Sequence, residues 1–326
     1  MLKVSVIGLG AWGSALGVTA HRAGSDVTMI GFDHEVDRVK EKGCIAAFPD
    51  TPFPRKIKIE STHDSLKTAD LVVFVVPSQM LRTCLKGLKN LPETTPIMIA
   101  SKGIEQSTGC LMGEVAQDVL KNPVAILSGP NFASEVMDGL PAATTIGCAD
   151  QKIGKKIVQA FAHKNFRPYL NSDVVGVQIG GAIKNVLAVG CGIIRARGLG
   201  ENAVASLITR GLDEMKTFGL SKGADISTFL GLSGVGDVVL TCMGTQSRNF
   251  LFGFDLATTN TINTKELEKT TVEGFYTTKA LYDVAERLKI NMPVCSMVYD
   301  ILYEGVAVDD AISRLLERPL KEEGSF

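Results

Sequence analysis

Short apolar segments alternate with longer amphipathic segments over the first half of the chain. Seven of the apolar runs have the length and the β-branched composition of strands. They are residues 2–7, 26–30, 71–76, 96–100, 124–127, 143–146 and 167–170. The run 71–76 lacks polar alternation, which is typical of a strand buried on both faces. The alternation predicts an α/β fold with a mainly parallel sheet and helices on both faces.

The pattern changes after about residue 173, where no further strand-like run appears. Five later segments have the apolar spacing of helices. They are residues 202–219, 236–243, 274–290, 294–304 and 308–317. We therefore predict a dinucleotide-binding domain of residues 1–180, for reasons given below, and an all-helical C-terminal domain of residues 181–326.

Residues 174–194 are apolar enough to raise the question of a membrane span, because their single charge is Lys184. Five glycines and the polar Gln178 and Asn185 argue against a span. We expect a buried helix between the two domains and no transmembrane segment.

Glycines follow the first strand at the spacing G-x-G-x-x-G. Gly8 permits a tight turn, Gly10 lets the backbone approach a pyrophosphate, and Gly13 lets the next helix pack against the strand. The helix N-terminus adds unpaired N–H groups and the positive end of its dipole. In this strand–turn–helix context the motif predicts a Rossmann-like domain, with a plain glycine-rich turn as the alternative.

The adenosine end of a dinucleotide would lie beside the second strand. Asp33 follows Gly13 by about 20 residues, where a carboxylate can bind the ribose and repel a 2′-phosphate. The position of Asp33 favours NAD over NADP. Phe32, next to Asp33 in sequence, belongs to the same predicted cofactor site. Capping of the following helix is the alternative for Asp33.

Two lysines stand where a ligand could bind. Lys184, inside the apolar helix, must pair with a carboxylate, reach solvent or line a cavity. Gly176 and Gly180 precede it at helical spacing, so that side of the helix could accept a flat ligand. Lys102 follows the strand at 96–100, at the carboxyl end where α/β sheets bind ligands. A structural ion pair for Lys184 and a solvated turn for Lys102 stay open.

The C-terminal half offers two further groups of polar residues. Asp237 and Thr241 are four residues apart and share a helix face, although Asp237 could instead cap that helix. Ser247, Arg248 and Asn249 place a guanidinium between small polar side chains, a pattern that can bind phosphate. As isolated features, such groups are more often surface structure.

Composition narrows the class of function. With 34 basic and 35 acidic residues, the net charge of −1 gives no electrostatic argument for nucleic acid or an anionic membrane. The seven cysteines lack a C-x-x-C pair and indicate reduced thiols, and the four histidines are too dispersed for a metal site. The first strand begins directly after Met1, which leaves no room for a signal peptide. We expect a cytoplasmic protein without a metal.

The ordered motifs together resemble those of the bacterial NAD(P)-dependent glycerol-3-phosphate dehydrogenases along essentially the whole chain. The matching segments are residues 8–13, 101–103, 128–133, 180–185, 234–237, 246–249 and 272–274. That family interconverts dihydroxyacetone phosphate and glycerol 3-phosphate, which supplies the backbone of glycerophospholipids. The resemblance implies an oxidoreductase that uses NAD or NADP, and the apolar helical surface favours a homodimer.

The resemblance also implies a role for each matching residue. The catalytic set is Lys184 as acid–base residue together with Lys102, Asp237 and Asn185. The substrate-binding set is Lys102, Gly129, Asn131, Lys184, Asp237, Thr241, Ser247, Arg248 and Asn249, with Asn131 at a position where the family commonly has threonine. The cofactor-binding set is Gly8, Gly10, Ala11, Trp12, Gly13, Phe32, Asp33, Lys102, Ala133, Arg248, Thr271 and Glu273.

Two other functions stay open on the residues alone. A related β-hydroxyacid or phosphorylated-ketone dehydrogenase would share the two-domain plan and a lysine on the junction helix. Activity on an unphosphorylated ketone equal to that on dihydroxyacetone phosphate would favour it, because Arg248 and Asn249 would then not be selecting a phosphate. A non-catalytic NADH-sensing protein would bind the nucleotide without turnover. Such a protein would not need the combination of Lys102, Lys184 and Asp237.

Overall fold

A computed structural model describes residues 1–88, 91–263, 267 and 270–319. Its eight strands are β1 (Lys3–Ile7), β2 (Asp26–Ile30), β3 (Lys58–Glu60), β4 (Leu71–Phe74), β5 (Ile97–Ile99), β6 (Val124–Ser128), β7 (Ala142–Gly147) and β8 (Phe166–Asn171). They form one sheet in the order β3-β2-β1-β4-β5-β6-β7-β8. Strands β1 to β6 run parallel, β7 is antiparallel to β6, and β8 is parallel to β7. The predicted mainly parallel α/β sheet is confirmed.

Helices and loops connect the strands, and helices dominate the described chain after the sheet. Those between strands are α1 (Ala11–Arg22), α2 (Asp33–Lys42), α3 (Leu81–Lys86), α4 (Met112–Val119), α5 (Ala133–Asp138) and α6 (Gln151–Phe161). Those after the sheet are α7 (Val174–Ala196), α8 (Gly200–Ser221), α9 (Ile226–Phe229), α10 (Asp237–Met243), α11 (Arg248–Thr259), α12 (Glu273–Leu288), α13 (Pro293–Tyr303) and α14 (Val308–Leu316). No strand occurs among the described residues from 174 onward, as the sequence predicts.

The chain divides into two compact units. The first contains residues 1–101 and 112–177, and the second contains residues 102–111 and the chain from Gln178 onward. The division lies inside α7, a continuous helix, so no linker in the sequence marks it; our prediction places it after residue 180. The short segment 102–111 belongs to the second unit although strands of the first unit lie on both sides of it in sequence.

Three elements differ from the sequence expectations. Strand β4 ends at Phe74 instead of residue 76. The three-residue strand β3 is too short and too polar to show a strand pattern. Helix α11 is not among the helices that the sequence predicts. A Cβ on Gly253 would lie 2.1 Å from the carbonyl oxygen of Val189, so close contact with α7 requires glycine inside this helix.

Burial explains why the central strands of the first unit are apolar throughout. The residues of β4 are at most 3% exposed. Leu16 of helix α1 is fully buried in the same apolar core. Burial of each such aliphatic side chain contributes about 1.5–3 kcal/mol to folding. The sheet is therefore a rigid base for the loops at its carboxyl edge.

By length and hydropathy alone, two helical stretches would be able to cross a membrane, namely Val174–Ala196 and Ile226–Met243. In the first stretch, 94% of the 18-residue apolar segment is buried inside the protein, and in the second stretch 44% of it is buried. A buried core helix passes the same test, and α7 has this character. The two stretches are weak evidence for a membrane.

Candidate active site

Two lysines and one aspartate of the second unit meet at the middle of α7. Lys184 Nζ donates hydrogen bonds to Asp237 Oδ1 at 2.5 Å and to Thr241 Oγ1 at 3.0 Å. Lys102 Nζ donates to Asp237 Oδ2 at 2.7 Å. The hydroxyl of Thr241 donates to Asp237 Oδ1 at 3.3 Å. We call these four residues, Lys102, Lys184, Asp237 and Thr241, the lysine–aspartate cluster.

The cluster is withdrawn from solvent to an unusual degree for charged groups. The side chain of Asp237 is 0% exposed, that of Lys184 9% and that of Lys102 16%. Burial lowers the pKa of Lys102 to about 8, and the nearby charge of Lys184 lowers it as well, whereas Asp237 opposes the shift. Burial alone would raise the pKa of Asp237, but the two lysine charges and their hydrogen bonds leave it below its ordinary value. The carboxylate therefore stays ionised between two ammonium groups.

Glycines bring Asp237 within reach of Lys184. A Cβ on Gly180 of α7 would lie 2.1 Å from the carbonyl oxygen of Ser233, so the turn Leu232–Gly236 contacts the bare helix backbone. A Cβ on Gly234 would collide with the Phe229 carbonyl oxygen at 2.1 Å, so that the turn itself also requires glycine. Helix α10 starts directly after this turn.

Two sequence interpretations change as a result. The surface beside Gly180 is covered by the chain itself at Ser233 and does not form a platform for a flat ligand. Asp237 is not the N-cap of α10, since Gly236 occupies that position, and its carboxylate binds lysines instead.

A pair of amides continues the site next to Lys184. Asn249 Nδ2 donates to Asn185 Oδ1 at 2.9 Å, and Asn249 Oδ1 accepts the backbone N–H of Gly274 at 2.8 Å. A Cβ on Gly274 would lie 2.6 Å from the Asn185 carbonyl oxygen, so this glycine allows the start of α12 to contact α7. The sequence analysis did not predict this packing role of Gly274. The one signal for it was the place of Gly274 in the family-matching segment 272–274.

The predicted phosphate-binding residues lie at the start of α11. Ser247 is the N-cap of this helix, and its hydroxyl accepts the backbone N–H of Phe250 at 3.2 Å. Burial lowers the pKa of the Arg248 guanidinium, and the negative charge of Glu273 opposes that shift. Thr271 is half-buried two positions before Glu273, the first residue of α12. Arg248 and Glu273 thus carry opposite charges that interact within one unit.

The glycine loop of the first unit has the geometry that a pyrophosphate needs. Gly8 has φ +118°, and a Cβ there would meet the Val75 carbonyl oxygen at 2.3 Å. A Cβ on Gly13 would meet the Gly8 carbonyl oxygen at 1.9 Å, whereas no atom lies within 4 Å of one on Gly10. Helix α1 begins at Ala11 without a side-chain cap. Open space at Gly10 beside an uncapped helix N-terminus fits a bound phosphate.

Trp12, the second residue of α1, is half-buried and packs against the apolar core of the first unit.

The loop after β2 presents Phe32 and Asp33 to solvent. Phe32 is 73% exposed and stacks on His34 with ring centroids 5.9 Å apart. Glu35 Oε2 accepts the backbone N–H of Phe32 at 2.9 Å, so Glu35 and not Asp33 completes the start of α2. Asp33 is the exposed first residue of that helix.

The turn between β6 and α5 holds the other predicted residues of the first unit. Gly129 has φ +146°, and a Cβ there would lie 3.0 Å from Thr144 Cα. Asn131 Nδ2 donates to the carbonyl oxygens of Pro130 at 2.8 Å and Ala143 at 2.9 Å. Its buried Oδ1 has no hydrogen-bond partner within the described part of the chain. Ala133 is the first residue of α5. The amide of Asn131 therefore secures this turn against β7.

Comparison with known proteins identifies the relatives of this chain. The family model described as the N-terminus of NAD-dependent glycerol-3-phosphate dehydrogenase matches residues 3–154, and the model of its C-terminus matches residues 173–313. A protein of Rhodospirillum rubrum named glycerol-3-phosphate dehydrogenase (NAD(P)+) is 43% identical over 98% of this chain and 94% of its own length. A protein of the same name from Caulobacter vibrioides is 42% identical over 98% of both chains.

A solved structure agrees with these sequence relatives. The crystal structure of glycerol-3-phosphate dehydrogenase from Coxiella burnetii has a TM-score of 0.91 and 33% identity to this chain. The alignment covers 97% of this chain and 99% of that one. The similarity therefore extends over both units.

Proposed function

This chain belongs to the NAD-dependent glycerol-3-phosphate dehydrogenase family, and we propose that it interconverts dihydroxyacetone phosphate and sn-glycerol 3-phosphate. The observation that carries the proposal is the lysine–aspartate cluster, in which Lys184 is held between Asp237 and Thr241 on a buried helix. Such a group can exchange a proton with a substrate oxygen in a site that excludes water.

Three residues of the cluster have a task in the chemical step, and the fourth, Thr241, is proposed to contact the substrate. When the ketone is reduced, its oxygen gains negative charge, and the Lys184 ammonium stabilises that charge and donates the proton from Nζ. Lys102 adds positive charge beside it. Asp237 binds both ammonium groups and so fixes their positions. In the opposite direction Lys184 Nζ accepts the proton of the alcohol.

The substrate and cofactor residues follow from the family and from the geometry given above. Arg248 and Asn249 are proposed to hold the substrate phosphate, with Asn185 next to them. Gly8, Gly10 and Gly13 are proposed to hold the pyrophosphate of a dinucleotide, which supplies or accepts the hydride when bound.

The further residues of each set keep their proposed roles. In the substrate set they are Gly129, Asn131 and Ser247. In the cofactor set they are Ala11, Trp12, Phe32, Asp33, Lys102, Ala133, Arg248, Thr271 and Glu273.

Oxidation of the reduced cofactor, followed by absorbance, tests this function directly. We expect turnover with dihydroxyacetone phosphate and at least about 100-fold lower kcat/KM with unphosphorylated dihydroxyacetone, because charge-assisted bonds from Arg248 to the phosphate are lost. Equal rates with both ketones would favour a dehydrogenase of a different substrate class. No turnover with either ketone and either cofactor would contradict the proposal and favour a binding protein.

The same assay with NADH and with NADPH tests the role of Asp33. Its exposed carboxylate at the start of α2 supports a preference for NADH, because a 2′-phosphate there would be repelled. A strong preference for NADPH would contradict this role. Either cofactor is compatible with the glycine loop.

We also propose a cytoplasmic location, a place in glycerophospholipid synthesis and a homodimer. The support for the dimer is a set of exposed apolar side chains in the second unit, which we call the apolar surface. They are Ile226 on α9, Leu230 directly after that helix, and Val239 and Met243 on α10. Their exposures are 45%, 75%, 44% and 57%. Val239 and Met243 are spaced by four residues and so share one face of α10. Exposed apolar surface of this kind commonly marks a protein interface.

The substitution Leu230→Glu should weaken the dimer, because it places a charge on this apolar surface. We expect the dissociation constant to rise by at least about tenfold, as measured by light scattering after size-exclusion chromatography. Leu316→Glu on α14 is the matched control, since Leu316 is 77% exposed but lies outside the surface. A monomeric wild-type protein, or an undiminished Leu230→Glu dimer, would contradict this interface.

A further inference from the structure

The segment that follows Lys102 is a closed loop. Ile104 and Leu111 form an antiparallel bridge at its base. Inside it, the N–H of Glu105 donates to the Cys110 carbonyl oxygen at 2.9 Å, and the N–H of Gly109 donates to the Glu105 carbonyl oxygen at 2.8 Å. We call residues 103–111 the lysine loop, because Lys102 stands directly at its start.

Side chains stiffen the lysine loop from within. The carboxylate of Glu105, a residue only 4% exposed, accepts the hydroxyl of Thr108 at 2.6 Å. The same hydroxyl oxygen accepts the backbone N–H of Cys110 at 3.2 Å. Ile104 and Leu111 at the base are 0% and 1% exposed. The loop is thus a packed element with its own buried polar and apolar contacts.

The lysine loop also rests on two helices of its unit. Gly109 has φ +74°, and a Cβ there would lie 2.6 Å from Val284 Cγ2 and 2.4 Å from Arg287 Nη2 on α12. The side chain of Gln106 makes a hydrogen bond with Tyr303 of α13. The fit at Gly109 leaves no room for a side chain unless Val284 or Arg287 moves, so the loop contacts α12 closely at this point.

From these contacts we infer that the lysine loop is a positioning element, in which Gly109 seats the loop on α12 and thereby holds Lys102 against Asp237. The inference rests on the proposed function, in which Lys102 acts beside the reacting group. A displacement of about 1 Å at such a group can lower the rate by roughly 100-fold.

The substitution Gly109→Ala tests the inference. We expect kcat with dihydroxyacetone phosphate to fall about ten- to 100-fold, with a smaller change in KM. Gly198→Ala is the matched control, because Gly198 has a similar φ of +66° and no atom within 4 Å of an added Cβ. It carries the same backbone strain without the collision. Equal kcat values for the two variants would overturn the inference.

A second substitution distinguishes a local collision between the lysine loop and α12 from misfolding of the Gly109→Ala variant. The added methyl of Gly109→Ala meets Val284 Cγ2 and the end of the flexible Arg287 side chain, so Val284→Ala in the same chain should relieve the part of the collision that a side-chain movement of Arg287 cannot. We expect the double variant to recover most of the lost kcat relative to the Val284→Ala single variant. If the double variant is no faster than the Gly109→Ala variant, contact with α12 does not determine the position of Lys102.

Chemical labelling gives a readout that needs no turnover. Competitive acylation of the folded protein at a series of pH values, with peptide mass spectrometry, reports the protonation of Lys102, with the exposed Lys279 as internal reference. Asp237 and Lys184 are the charged groups that set this pKa together with burial. Release of Lys102 in the Gly109→Ala variant should raise its pKa from about 8 toward the ordinary value. An unchanged pKa of Lys102 in the Gly109→Ala variant would overturn the inference. If that pKa shifts as expected but the wild-type protein has no activity, only the proposed reaction is contradicted.

Discussion

Replacing Lys184 by alanine is expected to lower kcat by about 1000-fold or more. The reaction then loses both the proton donor and the positive charge that stabilises the developing oxyanion. Lys184 is not among the proposed cofactor-binding residues, and the glycine loop proposed to bind the dinucleotide lies in the other unit. Cofactor affinity, measured by titration of NADH fluorescence, should therefore stay within about threefold of the wild-type value.

Two further variants identify which property of Lys184 matters. Arginine at this position keeps a positive charge near Asp237 but cannot release a proton near neutral pH, so Lys184→Arg should stay at least about 100-fold slower than wild type. Lys279→Ala is the control, because Lys279 forms an exposed ion pair with Asp283 in the same unit. Wild-type turnover in Lys184→Ala would show that another group exchanges the proton.

The glycine loop and the sheet could be predicted from sequence because both are local patterns. Gly8, Gly10 and Gly13 have a spacing that specifies a turn and a helix start, and the structure confirms that arrangement. An apolar run such as β4 likewise indicates a buried strand without knowledge of its neighbours. Sequence pattern is sufficient where the determining contacts are close along the chain.

The cluster could not be predicted in this way, because its members are far apart in sequence. Lys102 and Asp237 are separated by 135 positions, and Lys184 and Asp237 by 53. Nothing in the local pattern around Lys102 indicates a carboxylate partner, and spacing alone slightly favours a solvated turn. Only the family resemblance connected these residues before the structure did.

Two glycines inside helices account for further differences between the sequence expectations and the structure. Gly180 suggested a bare surface for a ligand, whereas the structure places the Ser233 carbonyl oxygen there. Gly253 lies inside α11, which the sequence did not predict, and is required for contact between that helix and Val189. In both cases glycine marks close contact between two parts of the chain, and the sequence does not tell which part approaches.

Replacing Asp237 by asparagine should be harmful to both activity and stability. The carboxylate is fully buried between Lys102 and Lys184, and its removal leaves two buried ammonium groups without a counter-charge. Breaking such a buried pair costs about 3–5 kcal/mol, which thermal or denaturant unfolding would measure. Because Asp237 raises the pKa of Lys102, its loss should move that pKa further below about 8. Lys102 then loses its proton as pH rises through a lower midpoint.

The kinetic consequence is a shifted pH profile. Reduction of the ketone needs positive charge beside the oxygen, so kcat of Asp237→Asn should be about 100-fold low at pH 7 and should fall further as pH rises. Below the new pKa of Lys102, part of the lost rate should return. A pH profile that matches wild type would contradict the role of Asp237 in holding the lysine charges.

Two controls distinguish the buried charge from the loss of a carboxylate in general. Asp283→Asn removes the partner of Lys279 at the surface, where an ion pair contributes at most about 1 kcal/mol, so stability and kcat should hardly change. Adding Lys102→Met to Asp237→Asn removes one of the two uncompensated charges. That double variant should regain part of the lost stability without regaining kcat, because the destabilisation comes from charge repulsion and catalysis needs both lysines. Recovery of activity together with stability would show that Lys102 is dispensable and that Asp237 serves only the fold.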